Sequence, residues 1–555
     1  MTTAPVSWTL RACAALLLPA LLGACSSSSP RFTDGPAVSQ IDDNRDIPEP
    51  KAQEFWRFAH HIDNFGSRQI RLGLDPVPAA PAEDVNRFGM VPNSSWYENR
   101  TATLDPDAVG DGPMENDPGP EAYLPWTITG MKIGGANPGF VFQDTRGERY
   151  ICKFDKHGAP LIATAAGAVA ARLLWACGYN VPDDRVVIFE RSDLRIGENA
   201  TLKTPAGKKV PILDKHIDRV LASVPSRRPD GSYRALASRF LSGRPLGGYS
   251  YRGTRGDDPN DTVPHQNRRS LRALRVFGAW LNHVDLKIDN TLDLYTEENG
   301  RHYIRHYLVD FDGCLGGYWA ARHESRIGHA YDLDLGELVT GTLSAGLHIR
   351  PYERLGEPIH PEIGLFESQV YDPAQWTPNY ANDQLSTCMP ADAFWAGLVM
   401  GHLTEAHIRA AVGAARFNDP DATELLTRIL RERWEKTVDW ALTRVTPAVD
   451  LDRVEKDADG ITIDAHDALV QLDRPSHLTY GARVLDRDGG TLHRTADSGS
   501  PRVTFPDDAV AGRDYIIVEW TANDDAAGRT LPPTQGHYRV HDGRWRLVGI
   551  LRDGQ

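Results

Sequence analysis

The strongest constraint on this chain lies between residues 264 and 313, where an apolar run opens into a cluster of acidic, basic and amide side chains. Leu271, Leu274, Phe277 and Leu281 recur at helical spacing, with Arg268, Arg269 and Arg272 off that side, so one amphipathic helix is expected over 264–282. It delivers the chain directly into His283-Val284-Asp285-Leu286-Lys287-Ile288-Asp289-Asn290. Two strand-like runs, 292–295 and 302–308, then flank Glu297-Glu298-Asn299-Gly300, whose Asn-Gly pair predicts a tight hairpin turn. The second run ends in Leu308-Val309-Asp310-Phe311-Asp312-Gly313. An isolated D-x-K-x-x-N recurs by chance as a capped turn with solvated charges. The order helix, polar loop, hairpin and acidic turn is much harder to reach by accident.

Upstream the pattern is β-rich. Strands are expected over 127–133, 140–143 and 149–154, the last two joined through Asp144-Thr145-Arg146-Gly147. The first connection, Gly134-Gly135-Ala136-Asn137-Pro138-Gly139, holds glycines that let backbone N–H groups approach phosphate oxygens. Lys153 lies on the third strand. Residues 163–177 (ATAAGAVAARLLWAC) predict a strong helix with Gly178 as its stop, and the helix contains no acidic residue. A buried strand at 186–189, a hairpin or loop insert at 195–209, a short helix at 214–223 and a strand at 233–240 complete this part. Helical patterns follow at 391–403, 404–415 and 421–443, where Asp421 and Glu424 have capping-box spacing.

These motifs resemble the protein-kinase pattern. There an Asp orients the acceptor hydroxyl, an Asn five residues later holds a metal, and a D-F-G Asp holds the other. The resemblance implies that Asp285 and Lys287 are catalytic and that Asn290 and Asp310 bind Mg²⁺. It also implies that Lys153, Gly134, Gly135 and Gly139 contact ATP, with 186–189 as the strand beside the adenine. His283 matches the structural histidine and is expected to pack. Two departures stand out: D-F-D-G is one residue longer than D-F-G, and the 163–177 helix lacks the glutamate that holds the strand lysine. Asp289 and Asp312 are extra carboxylates, expected to be solvated bystanders.

The ends are different in kind. Arg11 precedes an apolar run, 12–24, too short to span a bilayer. It ends Leu22-Gly23-Ala24-Cys25 before four serines, which resembles a bacterial lipoprotein signal. That resemblance implies cleavage, lipidation (palmitate included) of Cys25 and, since Ser26 follows, an outer-membrane anchor facing periplasm or exterior. Residues 25–50 are expected to be a flexible tether. From residue 51 Phe55, Phe58, Ala59 and Ile62 fall at helical spacing. Beyond 451, short alternating strands with Asp-Gly turns predict an all-β sandwich. Cys152, Cys177, Cys314 and Cys388 contain no C-x-x-C pair, which argues against zinc.

The expected fold is therefore α+β: a two-lobed kinase-like unit followed by a small sandwich-like one. The divisions are 1–24 signal, 25–50 tether, 51–125 extension, 126–235 β-rich lobe, 236–450 helical lobe and 451–555 β domain. Over roughly 84–450 the chain is also similar to a group of bacterial lipoproteins of uncharacterised activity. The resembling segments are Val85-Asn86 through Ser94-Ser95-Trp96, Tyr150-Ile151-Cys152-Lys153-Phe154-Asp155, Gly178-Tyr179-Asn180-Val181-Pro182, Asp258-Pro259-Asn260-Asp261 and Ala279-Trp280-Leu281-Asn282-His283. More distantly the layout resembles HipA-type and phosphatidylinositol-kinase-like atypical kinases. A formal charge of -14 with no long basic run excludes nucleic acid as the main partner. Two readings of activity stay open: an ATP- and Mg²⁺-dependent phosphotransferase at the cell envelope, or an inactive pseudokinase that binds a protein or glycan there.

Overall fold

The computed structural model describes residues 32–552 apart from Asp34, 54–61, Ala79, Glu115, 133–136, 205–206, 225–226, Pro229, 318–324, Gly346 and Glu357. Cys25, Gly134, Gly135 and most of the helical pattern that begins at residue 51 lie outside those residues. The architecture is mixed α+β. Among the described residues no helix is long and apolar enough to cross a membrane.

A seven-stranded sheet comes first: β1 (Trp126–Met131), β2 (Gly139–Gln143), β3 (Arg149–Lys153), β4 (Asp184–Phe189), β5 (Leu194–Lys203), β6 (Lys209–Pro211) and β7 (Tyr233–Arg239). Their spatial order is β4-β7-β3-β2-β1-β5-β6. The outer face has its own core, in which Trp126 stacks on Phe142 and Phe140, Phe154 and Phe189 meet edge to face. Helix α1 (Ile162–Ala176) crosses the other face. Gly167 makes this possible: a Cβ there would come within 2.6 Å of Leu236 on β7.

A second, larger core gathers α1 with α2 (Leu274–Leu281), α3 (Pro390–Gly401), α4 (Glu405–Gly413) and α5 (Pro420–Leu442). A three-stranded sheet of β8 (Arg244–Gly247), β9 (Thr291–Glu298) and β10 (Arg301–Leu308) lies beside it, in the order β10-β9-β8. The expected single helix over 264–282 is three pieces: a 3-10 turn at His265–Asn267, a short helix at Arg269–Arg272, and α2. The break has a physical cause. Asp84 receives the backbone N–H groups of Arg269 and Ser270 and the Ser270 hydroxyl, capping a new helix start from far along the chain. Arg268 pairs with Asp261, while Arg269 and Arg272 meet Asp392, all of them buried.

Besides a short pairing of Ala448–Val449 with His466–Asp467, the C-terminal strands form two sheets, one of three strands and one built around Leu478–Leu485, Tyr515–Asp524, Thr534–His541 and Arg544–Arg552. Ile461, Ile463, Val503 and Phe505 from the first meet Val484, Val518, Trp520 and Tyr538 from the second in one core.

The stretch expected to be a tether is laid along the body from Phe32 onward. Phe32 packs edge-on to His537, and its N–H points to the Tyr515 hydroxyl. Further on, Ile41 donates to Asn93, Asp43 accepts from the N–H and hydroxyl of Ser95, and Ile47 donates to His302. Gly549 supplies the seat for Phe32, since a Cβ there would come within 2.3 Å of its ring. Gly549→Ala should therefore displace Phe32 and raise proteolytic cleavage between residues 33 and 50 while leaving the main unfolding transition within ~1 kcal/mol. Unchanged cleavage would show that the strap is held elsewhere.

His537 adds a pH dependence. Burial lowers its pKa to about 4, against an ordinary value near 6.5, so the unfolded chain binds the extra proton between those pH values. Stability should be full above about pH 6.5 and fall as pH drops toward 4, by up to ~1.4 kcal/mol per pH unit. His537→Gln should flatten that slope in urea melts at pH 7 and pH 5.

Candidate active site

α2 ends where Asn282 turns left-handed (φ 49°), a conformation asparagine tolerates at a helix C-terminus. Its side-chain oxygen accepts from the Trp376 indole at 2.9 Å, which fixes the exit direction. His283 then turns fully inward. Among the described residues neither ring nitrogen has a hydrogen-bond partner, burial lowers its pKa to about 4, and the ring packs edge-on to Phe311. The ring thus packs the polar loop against the acidic turn.

The loop folds on itself. Asn290 Nδ2 donates to the carbonyl and the carboxylate of Asp285, both at 2.8 Å, and Lys287 Nζ reaches both carboxylate oxygens at 2.7 and 2.9 Å. Burial raises Asp285 above the ordinary carboxylate range, while Lys287 and Asn290 oppose the rise. Val309 N–H donates to the Asn290 carbonyl at 3.0 Å, joining the loop to the acidic turn. Asp310 follows with φ 66°, a left-handed backbone uncommon for a residue other than glycine.

Lys153, on β3, forms an ion pair with Asp310. Burial pushes the Asp310 carboxyl up, but Lys153, aided by Lys132 and Lys287, more than cancels it, and the group sits below its ordinary range. Lys153, Asp310, Asn290 and Asp285 thus converge from two strands' ends and one loop. Of the glycines expected to contact phosphate, only Gly139 lies in the described residues. It opens β2 opposite Lys153, and a Cβ there would stand 1.9 Å from the Cys152 carbonyl oxygen. Close strand approach alone requires that glycine.

Three further groups belong to the site. Asp312 is no solvated bystander: Asn137 Nδ2 donates to it at 2.7 Å, and burial together with Asp310 pushes its pKa up to about 6. Lys132 donates to the Asn137 carbonyl at 3.1 Å, and burial and Lys153 lower its pKa. Asp289 lines the adjoining cavity. The only sequence signal for these was nearness to the motifs.

That cavity, about 770 Å³, lies between the seven-stranded sheet and the β8–β9 pair. Val141, Ile151, Leu292 and Leu294 give it apolar walls, and Lys132, Lys153, Asp289 and Asp310 stand on its polar side. The volume and lining are those of a small-molecule site. The 186–189 strand does not line it. β4 pairs only with β7 at the sheet edge, and Phe240, Leu241, Ser242 and Gly243, leaving β7, form the wall instead. Sequence spacing could not reveal this, because β7 inserts between β3 and β4.

Among the described residues no three His, Cys, Asp or Glu side chains gather closely enough to cage a metal. The donor set still suits Mg²⁺, which takes one or two carboxylates with waters and substrate phosphates rather than an all-protein cage. Asp310 supplies a carboxylate, and the Asn290 amide, with Nδ2 engaged by Asp285, leaves its oxygen available. Cys152, Cys177, Cys314 and Cys388 are free thiols.

No protein-family model matches the chain, and neither does any curated protein. Among solved structures, the proinflammatory kinase CtkA of Helicobacter pylori aligns at 15% identity over 57% of this chain and 94% of that one, with a TM-score of 0.30. A Golgi casein kinase with Mn/ADP bound aligns at 11% identity over 58% and 75%, with a TM-score of 0.25. Both overlaps are loose.

The close approach at Gly139 gives a direct check. Gly139→Ala must separate β2 from β3 and should cost at least ~1–3 kcal/mol in urea unfolding, the usual range for overpacking. A wild-type midpoint would refute it.

Proposed function

We propose that the protein is a kinase-like phosphotransferase that binds a nucleotide with Mg²⁺ in the cleft between its first sheet and its helical unit. The observation that carries this reading is the convergence of two linked pairs: Lys153 and Asp310 line one cavity, and Asn290, bonded to Asp285, is tied to that acidic turn through Val309. The two separate cores serve as the two lobes, and the C-terminal sheets as a sandwich-like accessory domain. The chain from Phe240 to Gly243 joins the lobes and flanks the base.

In this reading Val141, Ile151, Leu292 and Leu294 exclude water around the base. Lys153, with Lys132 close by, faces the phosphates. Asp310 and the Asn290 oxygen hold the cation, which supplies neutralisation of phosphate charge when bound. Asp285 accepts the acceptor's hydroxyl proton. Its raised pKa suits a proton acceptor, and Asn290 fixes its orientation. Lys287, already on Asp285, lies where it can also meet the transferring group. The acid turn and the basic strand supply mainly position and charge, as phosphoryl transfer requires.

Lipidation at Cys25 would anchor the domain in the cell envelope. The phosphoryl donor there is then an exported nucleotide or another phosphorylated compound. A second reading has one observation in its favour. Lys153 with Asp310 and Lys287 with Asp285 already neutralise each other. A cleft so satisfied suits an inactive pseudokinase whose partner is a protein or glycan.

Calorimetry separates the two. Titrating ATP and GTP with Mg²⁺ or Mn²⁺ should show metal-dependent binding that weakens at least ~10-fold, about 1.4 kcal/mol, in Asp310→Ala. No heat with either nucleotide and either metal would overturn the phosphotransferase reading. Partner capture that survives Asp285→Ala/Asp310→Ala with the fold intact would support the pseudokinase.

A further inference from the structure

The kinase-like reading leaves Lys153 without the helix carboxylate that would hold it once a cation takes Asp310. α1 carries no acid anywhere between Ile162 and Ala176. We infer that Asp184, from strand β4, is the positioning residue that receives Lys153 in that state. The inference rests on the proposed nucleotide site.

The strand registers put the two groups on one face. Lys153 pairs with Leu236, which pairs with Val186; Ile151 pairs with Ser238, which pairs with Asp184. Alternate residues share a face, so Lys153, Ile151, Leu236, Ser238 and Asp184 all point to the same side. Leu236 packs beneath Gly167 and Ala168 of α1, so this side faces the helix and the cleft. Two strand spacings across and two residues along separate the Cα atoms of Lys153 and Asp184 by about 12 Å, a span that an extended lysine and an aspartate can close.

Asp184 is unfinished business in the present structure. It is 1% exposed, and among the described residues its Oδ1 has no hydrogen-bond partner. Ser238, its cross-strand partner on β7, favours the charged carboxylate. The other nearby cations are engaged elsewhere. Arg172 spends its guanidinium on the carbonyls of Gly110, Ala168 and Asp184 itself, at 2.7, 3.1 and 2.6 Å. Arg185 takes Asp183 at 2.7 Å and the carbonyls of Asp117 and Met114. Burial pushes Asp184 up to about 7, with Lys153 the largest influence pulling it back. A buried carboxylate oxygen without a partner is costly, and one facing a lysine has an obvious remedy.

Two arrangements of Lys153 follow. Without a cation, it neutralises Asp310. With Asp310 on a cation, that pull is cancelled, and Asp184 with Ser238 fixes the ammonium toward the phosphates. A strand thus takes the part that a helix glutamate plays in the protein-kinase pattern.

A stability cycle on the full chain tests this without nucleotide. Asp310→Asn removes the present partner of Lys153. In that background Asp184→Asn should lower the folding constant at least ~10-fold more than it does in the wild type. In the wild type it should be neutral or stabilising, since it removes an unpaired buried charge. Equal effects in the two backgrounds would overturn the inference. A second arm uses ATP with Mg²⁺. Asp184→Asn should weaken binding about tenfold, and Lys153→Met/Asp184→Asn should bind no more weakly than Lys153→Met. Additive losses would show that Asp184 acts independently of Lys153. If the wild type binds no nucleotide, the phosphotransferase reading fails, and the stability cycle still decides the pairing.

Discussion

The ion pair between Lys153 and Asp310 ties the first sheet to the acidic turn at the cleft, with the Asn137–Asp312 hydrogen bond beside it. Its partners come from separate cores and stand 157 positions apart. With the Asp310 side chain 43% exposed, the pair returns little net stability, because water screens the Coulombic gain on one side and holding the lysine costs entropy. Its value is in location. It holds the basic end of β3 over the acidic turn, so that opposite charges face each other at the edge of the cavity. The left-handed Asp310 backbone and the Val309–Asn290 hydrogen bond keep the acidic side from drifting.

Much of this frame was legible in the sequence, and the reasons are local. β1 to β3 alternate and turn at Gly147, and 214–223 is amphipathic, so periodicity found them within two or three residues. The spacing of Asp285 and Asn290 survives because a single loop carries both. What failed were expectations that needed distant partners. The helix over 264–282 looked continuous because Asp84, which breaks it, lies some 185 residues away. The partners of its arginines were invisible, because Asp261 and Asp392 cannot be paired with them by period. The cap of α5 is Asp419 with Pro420 at the first helical position, not the Asp421–Glu424 pair whose spacing suggested a box.

The N-terminal stretch failed for another reason. Residues 25–50 have the polar, Pro- and Asp-rich composition of a linker, and composition correctly reports that they cannot form a core of their own. It says nothing about whether they borrow one. Phe32, Ile41, Asp43 and Ile47 each make contacts on a surface that other parts of the chain provide.

The absence of acid from α1 is better understood as a consequence of packing than as loss of a function. Fourteen of its fifteen residues are buried, between the sheet on one side and α4 with the Pro106–Asp111 helix on the other. Its first turn is held by Asp155, which accepts the N–H and hydroxyl of Thr164, and Arg234 from β7 joins that group to the Ala415 carbonyl. Swinging such a helix outward would expose Val169, Leu173 and Leu174 at ~1.5–3 kcal/mol each, more than the few kcal/mol that usually separate two functional states. Where protein kinases govern the strand lysine by moving a helix that bears its partner, this helix is fixed and has no room for a long acidic side chain. On the proposed reading, a carboxylate for Lys153 other than Asp310 comes from the sheet itself, and β4, at the edge beside β7, presents one on the cleft-facing side.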